Sequence, residues 1–197
     1  MKVPDILSKC KAKTLVFRYG GTGEARTRTE DGPASDEWVT ADSQSVNSLF
    51  ERDRGLAERF RHFLKAGCLG VFLVRDRQWI SYGWSSQPGH GHPPHLSQRV
   101  SAAGAYWIFF CHTREGFRGQ GVYRRLLHRI VVLVIGREPA ATIYVDAYAG
   151  NTPSRQAILS VGFSPGGVMT TYKLWLPRVG SFVLASYWRR NETHPAL

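Results

Sequence analysis

Three features that would assign the protein to a special class are nearly absent from the sequence. The three cysteines, Cys10, Cys68 and Cys111, are widely spaced and form no Cys-x-x-Cys pair, which argues against a disulfide framework and favours reduced thiols. No apolar run approaches the roughly 20 residues that a membrane-spanning helix needs. The first residues lack the apolar segment of a signal peptide, so we expect a cytoplasmic location.

Acidic residues are also scarce. The sequence has 15 Asp and Glu against 26 Lys and Arg, a formal net charge of +11, and such a balance attracts nucleic acid, anionic lipid or phosphorylated ligands. The arginines are scattered, however, and no nucleic-acid motif with interleaved aromatic residues accompanies them. We therefore disfavour a nucleic-acid partner and expect most of the charge to serve a phosphorylated cofactor and solubility.

The length and the apolar content fit one ordinary domain. The chain has 197 residues, 43% of them hydrophobic, which is enough to bury a single core. We expect one domain over residues 1–197, with its core at about 36–176 and a loose N-terminal loop and a C-terminal strand extension as its ends. No internal repeat is present.

Hydrophobic periodicity predicts an alternation of strands and helices. The predicted strands are 15–19, 68–74, 79–84, 106–111, 141–147, 168–176 and 181–187. The predicted helices are 46–50, 56–64, 122–136 and 151–162, the first capped by Asp42 or Ser43 and the last by Asn151 or Thr152. Residues 20–45 and 85–103 are rich in polar and turn residues and are predicted to be loops. This order implies a mixed α/β sheet with helices on its faces.

One stretch organises the rest of the chain. The apolar strand 106–111 ends at His112 and Thr113, a polar turn follows, and the sequence RGQGVY, residues 118–123, leads into the predicted helix 122–136. Glycines at such a corner let an anion approach the unpaired backbone N–H groups of the helix N-terminus, which also carries a partial positive charge. The pattern therefore predicts a site for a phosphate group.

This stretch resembles the GNAT superfamily of acyl-CoA N-acyltransferases, whose pyrophosphate motif is Gln/Arg-x-x-Gly-x-Gly/Ala. Arg118 and Gly121 match that motif, whereas Tyr123 replaces its last Gly/Ala, as in a bacterial subgroup that the phrase FRGQGVYRRLL resembles. The family's other signatures, Asn-x-x-Ser/Ala…Gly-Phe and Gly-Tyr-x-Trp, are matched by Asn151, Ser154, Gly162 and Phe163 and resembled by residues 81–84. The resemblance covers about residues 36–176. It implies a GNAT fold, with a mixed, mostly antiparallel central sheet flanked by helices.

The resemblance implies acetyl-CoA or another acyl-CoA as the cofactor, and no metal. Backbone groups of Cys111, His112 and Thr113 would bind the pantetheine arm. The pyrophosphate would lie on the backbone amides of Gly119, Gln120, Gly121, Val122 and Tyr123. Arg118 would add charge there, and Asn151 and Ser154 would line the opposite wall.

Acyl transfer to an amine requires a base, because a primary amine with a pKa of about 10.4 is protonated at pH 7. Asp146 is the first candidate, since it falls five residues before Asn151, where several family members place a glutamate. His112, at the end of the organising strand, is the second candidate.

The proton donor to the leaving thiolate is less well defined. The family's usual acid is a tyrosine, but Ile158 occupies that position. Tyr144, Tyr148, Tyr123 or water must therefore serve. We expect Cys111 to be buried rather than nucleophilic, so the transfer would be direct.

Three histidines, His90, His92 and His95, lie in the second predicted loop. Their spacing invites a zinc site, but the Pro-Pro between them is stiff and no carboxylate or cysteine stands nearby. We disfavour a metal and leave open an acceptor-side loop or an ordinary exposed loop.

The function that these observations favour is transfer of an acetyl or acyl group from acetyl-CoA to a small-molecule amine. An amino sugar, an amino acid, or a phosphorylated or glycan-related amine would suit. The alternatives are an acyl-CoA-binding regulatory module with little turnover, a protein or peptide N-acetyltransferase, and a basic protein that binds nucleic acid or a membrane surface. A homodimer is left open.

Overall fold

The computed structural model describes residues 11–20, 33–90, 93, 95–96, 104–176 and 180–195. Its strands are β1 (Lys11–Tyr19), β2 (Glu37–Thr40), β3 (Leu69–Arg75), β4 (Gln78–Ser86), β5 (Tyr106–Thr113), β6 (Ile143–Tyr148), β7 (Phe163–Leu176) and β8 (Gly180–Arg189). Its α-helices are α1 (Ser43–Leu49), α2 (Arg54–Lys65), α3 (Val122–Arg137) and α4 (Thr152–Ser160). Within the described ranges, no helix is both long enough and apolar enough to cross a membrane.

The strands form one sheet in the order β2-β3-β4-β5-β6-β1-β7-β8. Neighbouring strands are antiparallel except β5 and β6, which run parallel. The β5–β6 pairing extends only from Tyr106 and Ile143 to Ile108 and Val145, and the two strands separate beyond it. Phe110, with a positive φ of 49°, lies in this separating part of β5. We call the gap past Ile108 and Val145 the β5–β6 opening.

Helices cover both faces of the sheet. On one face α3 packs Leu126 and Ile130 into a cluster that includes Val71 of β3. On the other face α1 and α2 build an aromatic cluster in which Phe60 lies against Phe72, with ring centroids 5.7 Å apart. Val71 and Phe72 face opposite sides because successive side chains of a strand alternate.

Helices α1 and α4 begin at capping residues that the sequence predicts. Asp42 caps α1: its Oδ1 accepts from the Ser45 N–H at 2.7 Å, and the Ser45 hydroxyl accepts from the Asp42 N–H at 2.9 Å. Asn151 caps α4, its Oδ1 accepting from the Ser154 N–H at 3.2 Å. Each such cap stabilises its helix by about 1 kcal/mol.

The prediction of a loop over residues 20–45 is wrong at its C-terminal end. Glu37–Thr40 forms β2, an edge strand paired with β3, while residues 21–32 lie outside the described ranges. The second predicted loop begins two residues too early, because β4 continues to Ser86, and most of the rest of that loop is not described. β7 begins at Phe163, five residues before the predicted start. The mixed, mostly antiparallel sheet flanked by helices is confirmed.

A buried ion pair anchors the edge strand β2 to the sheet and to α3. The Asp36 carboxylate accepts from Arg75 Nε at 2.7 Å and from Arg125 Nη1 at 2.8 Å, and its side chain is 3% exposed. Burial alone would raise the pKa of Asp36, but hydrogen bonds and charge from both guanidinium groups hold that pKa below its usual value. The pair is therefore ionised at neutral pH.

Candidate functional site

The corner formed by residues 118–123 leads into α3 and carries the backbone N–H groups of its first turn. The first backbone bond of α3 runs from Arg125 N to Gly121 O at 3.1 Å, so within the described residues the N–H groups of Val122 and Tyr123 have no helical acceptor. Gly119 and Gly121 both have positive φ, 75° and 71°, a conformation that glycine adopts without steric cost. A Cβ at either position would meet no atom of the described structure within 4 Å. The space around the two glycines is therefore open.

Two side chains brace this corner. Arg118 Nε donates to the Thr113 carbonyl at 3.2 Å, and Gln120 Nε2 donates to the Gly116 carbonyl at 3.0 Å. The first bond ties the corner to the last residue of β5. It also holds the Arg118 guanidinium, a positive charge, beside the N-terminus of α3.

The two halves of the predicted signature lie side by side. The Ser154 hydroxyl, in the first turn of α4, is 3.4 Å from the Tyr123 hydroxyl in the first turn of α3. Burial raises the pKa of Tyr123, and the charges of Cys111 and Asp146 raise it further. The Tyr123 hydroxyl therefore stays protonated and lies close to the groups that line the β5–β6 opening.

The end of β5 holds Cys111, His112 and Thr113. Burial raises the pKa of the Cys111 thiol to about 12. His112 stacks on Tyr82 with ring centroids 5.4 Å apart, and burial together with the charges of Arg118 and Arg114 lowers its pKa. His112 is therefore neutral at pH 7 but belongs to the aromatic row beside β4. No contact links it to Asp146 in the described structure.

Asp146 lies at the β5–β6 opening, one residue past the last pairing of β6 with β5. Its Oδ1 accepts from His95 Nε2 at 2.8 Å and from Trp107 Nε1 at 2.9 Å, and its side chain is 6% exposed. Burial alone would raise the pKa of Asp146, but the charge of His95 and hydrogen bonds from His95, Trp107 and Thr14 hold that pKa below its usual value. A carboxylate stabilised in this way is a weak base.

A cavity of about 210 Å³ adjoins Asp146. Its walls come from three strands, β1, β6 and β7, and from the turn at His95. The lining residues are Ala12, Thr14, His95, Asp146, Ala147, Tyr148, Thr171 and Lys173. Of these, the sequence predicted only Asp146 and Tyr148 as site residues, and Tyr148 is 57% exposed.

The candidates for the proton donor lie in different surroundings. Tyr144 is packed between Trp107 and Trp188, with ring centroids at 5.4 and 4.8 Å. Ile158, a residue of α4 at the position of the family's usual acid, is fully buried in the core. Tyr123 is thus the predicted proton donor whose hydroxyl lies among the groups at the opening.

The histidine loop is described only in part. His90 Nδ1 is 3.0 Å from the Pro88 carbonyl, His95 binds Asp146, and His92 lies outside the described residues. Among the described residues, no group of three His, Cys, Asp or Glu side chains is placed to hold a metal ion.

Comparison with solved structures identifies the fold. No family model matches the sequence, and no curated protein matches it. A GCN5-related N-acetyltransferase-like protein from Streptococcus suis superposes with a TM-score of 0.59 at 15% identity, over 95% of this chain and 66% of its own. The chain has the GNAT fold.

Two further structures share the GNAT fold with this chain. A GNAT-family acetyltransferase from Colwellia psychrerythraea has a TM-score of 0.54 at 12% identity, over 78% of this chain and 53% of its own. A protein described as a GNAT-family acetyltransferase from Novosphingobium aromaticivorans has a TM-score of 0.53 at 17% identity, over 81% and 62%. The chain thus spans about half to two thirds of the length of these structures. The likeness confirms the predicted fold.

Proposed function

We propose that the protein is an acyl-CoA-dependent N-acyltransferase that transfers an acetyl or related acyl group to the amine of a small molecule. One observation carries the proposal. The first turns of α3 and α4 are in contact through Tyr123 and Ser154, and the charge of the buried Asp146 carboxylate, which lines the cavity, raises the pKa of Tyr123. An anion site, a strand edge and a polar cavity therefore adjoin one another.

The residues present fit a CoA molecule. The backbone amides of Gly119, Gln120, Gly121, Val122 and Tyr123 would hold the pyrophosphate, because the space around Gly119 and Gly121 is open and the described structure gives the N–H groups of Val122 and Tyr123 no helical acceptor. The part of β5 beyond its pairing with β6, at Cys111, His112 and Thr113, would bind the pantetheine arm, with Asn151 and Ser154 on the opposite side. When bound, acetyl-CoA supplies the thioester carbonyl that the amine attacks.

Direct transfer is favoured over an acyl-cysteine. The Cys111 thiol, with its pKa near 12, is almost wholly protonated at pH 7, and the thiolate is the nucleophilic form. The amine itself would therefore attack the thioester, in a complex that holds both substrates.

The cavity beside Asp146 supports a small acceptor. Its volume of about 210 Å³ is less than that of a typical drug-sized pocket, about 300–1,000 Å³. Thr14 and Thr171 offer hydroxyl groups, and Lys173 offers a positive charge. An amine that also carries a phosphate or carboxylate, such as a phosphorylated amino sugar or an amino acid, would complement this wall.

Thiol release from acetyl-CoA tests the proposal, with glucosamine 6-phosphate, glucosamine, lysine, spermidine and a peptide N-terminus as probes. We expect CoA binding by calorimetry and amine-dependent release with at least one small amine. Release with the peptide alone would overturn the small-molecule acceptor. Binding of CoA without release on any probe would favour a regulatory module instead, a reading that the buried Ile158 supports.

A further inference from the structure

The carboxylate at the β5–β6 opening is poorly suited to be the base itself. Asp146 Oδ1 already accepts from His95 Nε2 and Trp107 Nε1, at 2.8 and 2.9 Å, and the side chain is almost fully buried. A carboxylate that accepts several hydrogen bonds is stabilised in its charged form. Protonation of Asp146 would also disturb bonds that hold His95 and Trp107 in place.

His95 differs from Asp146 in its solvent exposure and in having a ring nitrogen available for a further hydrogen bond. Its side chain is 34% exposed and lines the cavity. Its Nδ1 makes no hydrogen bond to the described part of the chain. When the ring is neutral, an Nε2–H that donates to Asp146 leaves the lone pair on Nδ1. That lone pair is the proton acceptor that the cavity otherwise lacks.

The fold fixes His95 in this position from two sides. The next residue, Leu96, is 1% exposed and packs in a cluster with Val16, Trp107 and Met169. Its N–H also donates to the Pro93 carbonyl at 3.0 Å, which closes a turn around His95. The backbone is thus anchored by Leu96 and the ring by Asp146, an arrangement that preserves the orientation of an imidazole base.

We propose that His95 removes the proton from the acceptor amine bound in this cavity, and that Asp146 is the positioning residue that orients its ring. The inference rests on the proposed function and deepens it. The charged and titratable groups that share the cavity with His95 are Asp146 and Tyr148 on β6 and Lys173 on β7.

The proton and electron balance is as follows. An acceptor ammonium gives one proton to His95 Nδ1, and the neutral nitrogen forms a C–N bond with the thioester carbonyl carbon. The C–S bond breaks, and its electron pair goes to sulfur. The second nitrogen proton reaches sulfur, through the Tyr123 hydroxyl or water, to give the thiol. His95 returns its proton to solvent through its exposed side.

Three variants test the roles. His95→Gln keeps an N–H that can donate to Asp146 but removes the basic lone pair, so a purely structural role predicts wild-type turnover. We expect instead a loss of kcat of about 100-fold or more, with the KM for acetyl-CoA unchanged. His95→Ala should lose as much and recover with added imidazole. His90→Ala, in the same loop but bonded to the Pro88 carbonyl, should behave as wild type.

Asp146→Asn should lower kcat less than His95→Gln does and should not be rescued by imidazole, because the base is still present but poorly oriented. The assay is thiol release from acetyl-CoA with the glucosamine 6-phosphate probe or whichever of the other four probes turns over. Wild-type kcat in His95→Gln, or failure of imidazole to restore folded His95→Ala, overturns the inference while leaving the proposed function standing.

Diethyl pyrocarbonate supplies a readout that needs no acceptor. It modifies a free imidazole nitrogen, so His95 in the full-length protein should be carbethoxylated, as located by peptide mass spectrometry. An unreactive His95 would overturn the inference whatever the turnover. A reactive His95 in a protein that releases no thiol with any amine would instead overturn the proposed function.

Discussion

Replacing Gly121 by Glu tests the anion site most directly. Gly121 is the residue before the first turn of α3 and has a φ of 71°, so any other residue must adopt a left-handed conformation there. A side chain at this position would enter the open space around Gly121, at the N-terminus of α3. The Glu carboxylate would occupy that space with the same sign of charge as the pyrophosphate.

The expected loss follows from the donors involved. In the described structure the N–H groups of Val122 and Tyr123, in the first turn of α3, have no helical acceptor. A hydrogen bond to a charged group is worth about 1.5–3 kcal/mol, so losing two such bonds costs about 3–6 kcal/mol. At about 1.4 kcal/mol for each factor of ten, CoA binding should weaken by roughly 100- to 10,000-fold.

Isothermal titration of CoA into the full-length protein measures this loss. Gly89→Glu is the matched control, because Gly89 also has a positive φ, 74°, and open space around it, but lies in the turn after β4. The control should bind CoA as the wild type does. A folded Gly121→Glu protein with undiminished CoA affinity would refute the assignment of the corner as the pyrophosphate site.

Three further changes test other parts of the structure. Asp36→Asn should lower the free energy of unfolding by about 3–5 kcal/mol at pH 7, because it leaves buried Arg125 uncompensated. The pKa of Asp36 is lower in the folded state than in the unfolded state, where it is about 3.9. The resulting stability is present above the unfolded pKa and is lost as the pH falls through the folded pKa. Urea unfolding curves of the variant and the wild type should therefore converge in strong acid. Cys111→Ala should retain turnover, and mass spectrometry should detect no acetyl group on Cys111 after incubation with acetyl-CoA; a stable acetyl-cysteine would contradict direct transfer. Tyr123→Phe should lower kcat by less than about 100-fold, since a thiolate leaves readily, without changing the KM for acetyl-CoA; an unchanged kcat would assign that proton to water.

The sequence predicted those elements whose signal lies within a few neighbouring residues. Asp42 and Asn151 cap helices because their side chains reach the N–H groups three residues on. The corner at residues 118–123 could be predicted because its glycines lack a Cβ and so adopt a positive φ readily. By contrast, β2 was missed because Glu37–Thr40 is short and only partly buried. Its strand conformation depends on pairing with β3.

Contacts between distant residues were beyond the reach of such patterns. The sequence singled out His95 and Asp146 separately, one in a histidine loop and one on a strand. Their hydrogen bond spans 51 positions. Lys173 and Thr14 carried no signal at all, and they enter the cavity because β1 lies between β6 and β7. The single domain over residues 1–197 and the roles of the cofactor-binding residues stay predictions.

The sequence by itself determined the class of fold and predicted where an anion site would lie, because backbone conformation, capping and hydrophobic period are encoded locally. Only the tertiary structure decided which groups surround the buried carboxylate and where a small acceptor would fit. The physical reason is that strand order and loop docking depend on burial summed over the whole sheet. The total burial over the sheet cannot be worked out from a short stretch of sequence.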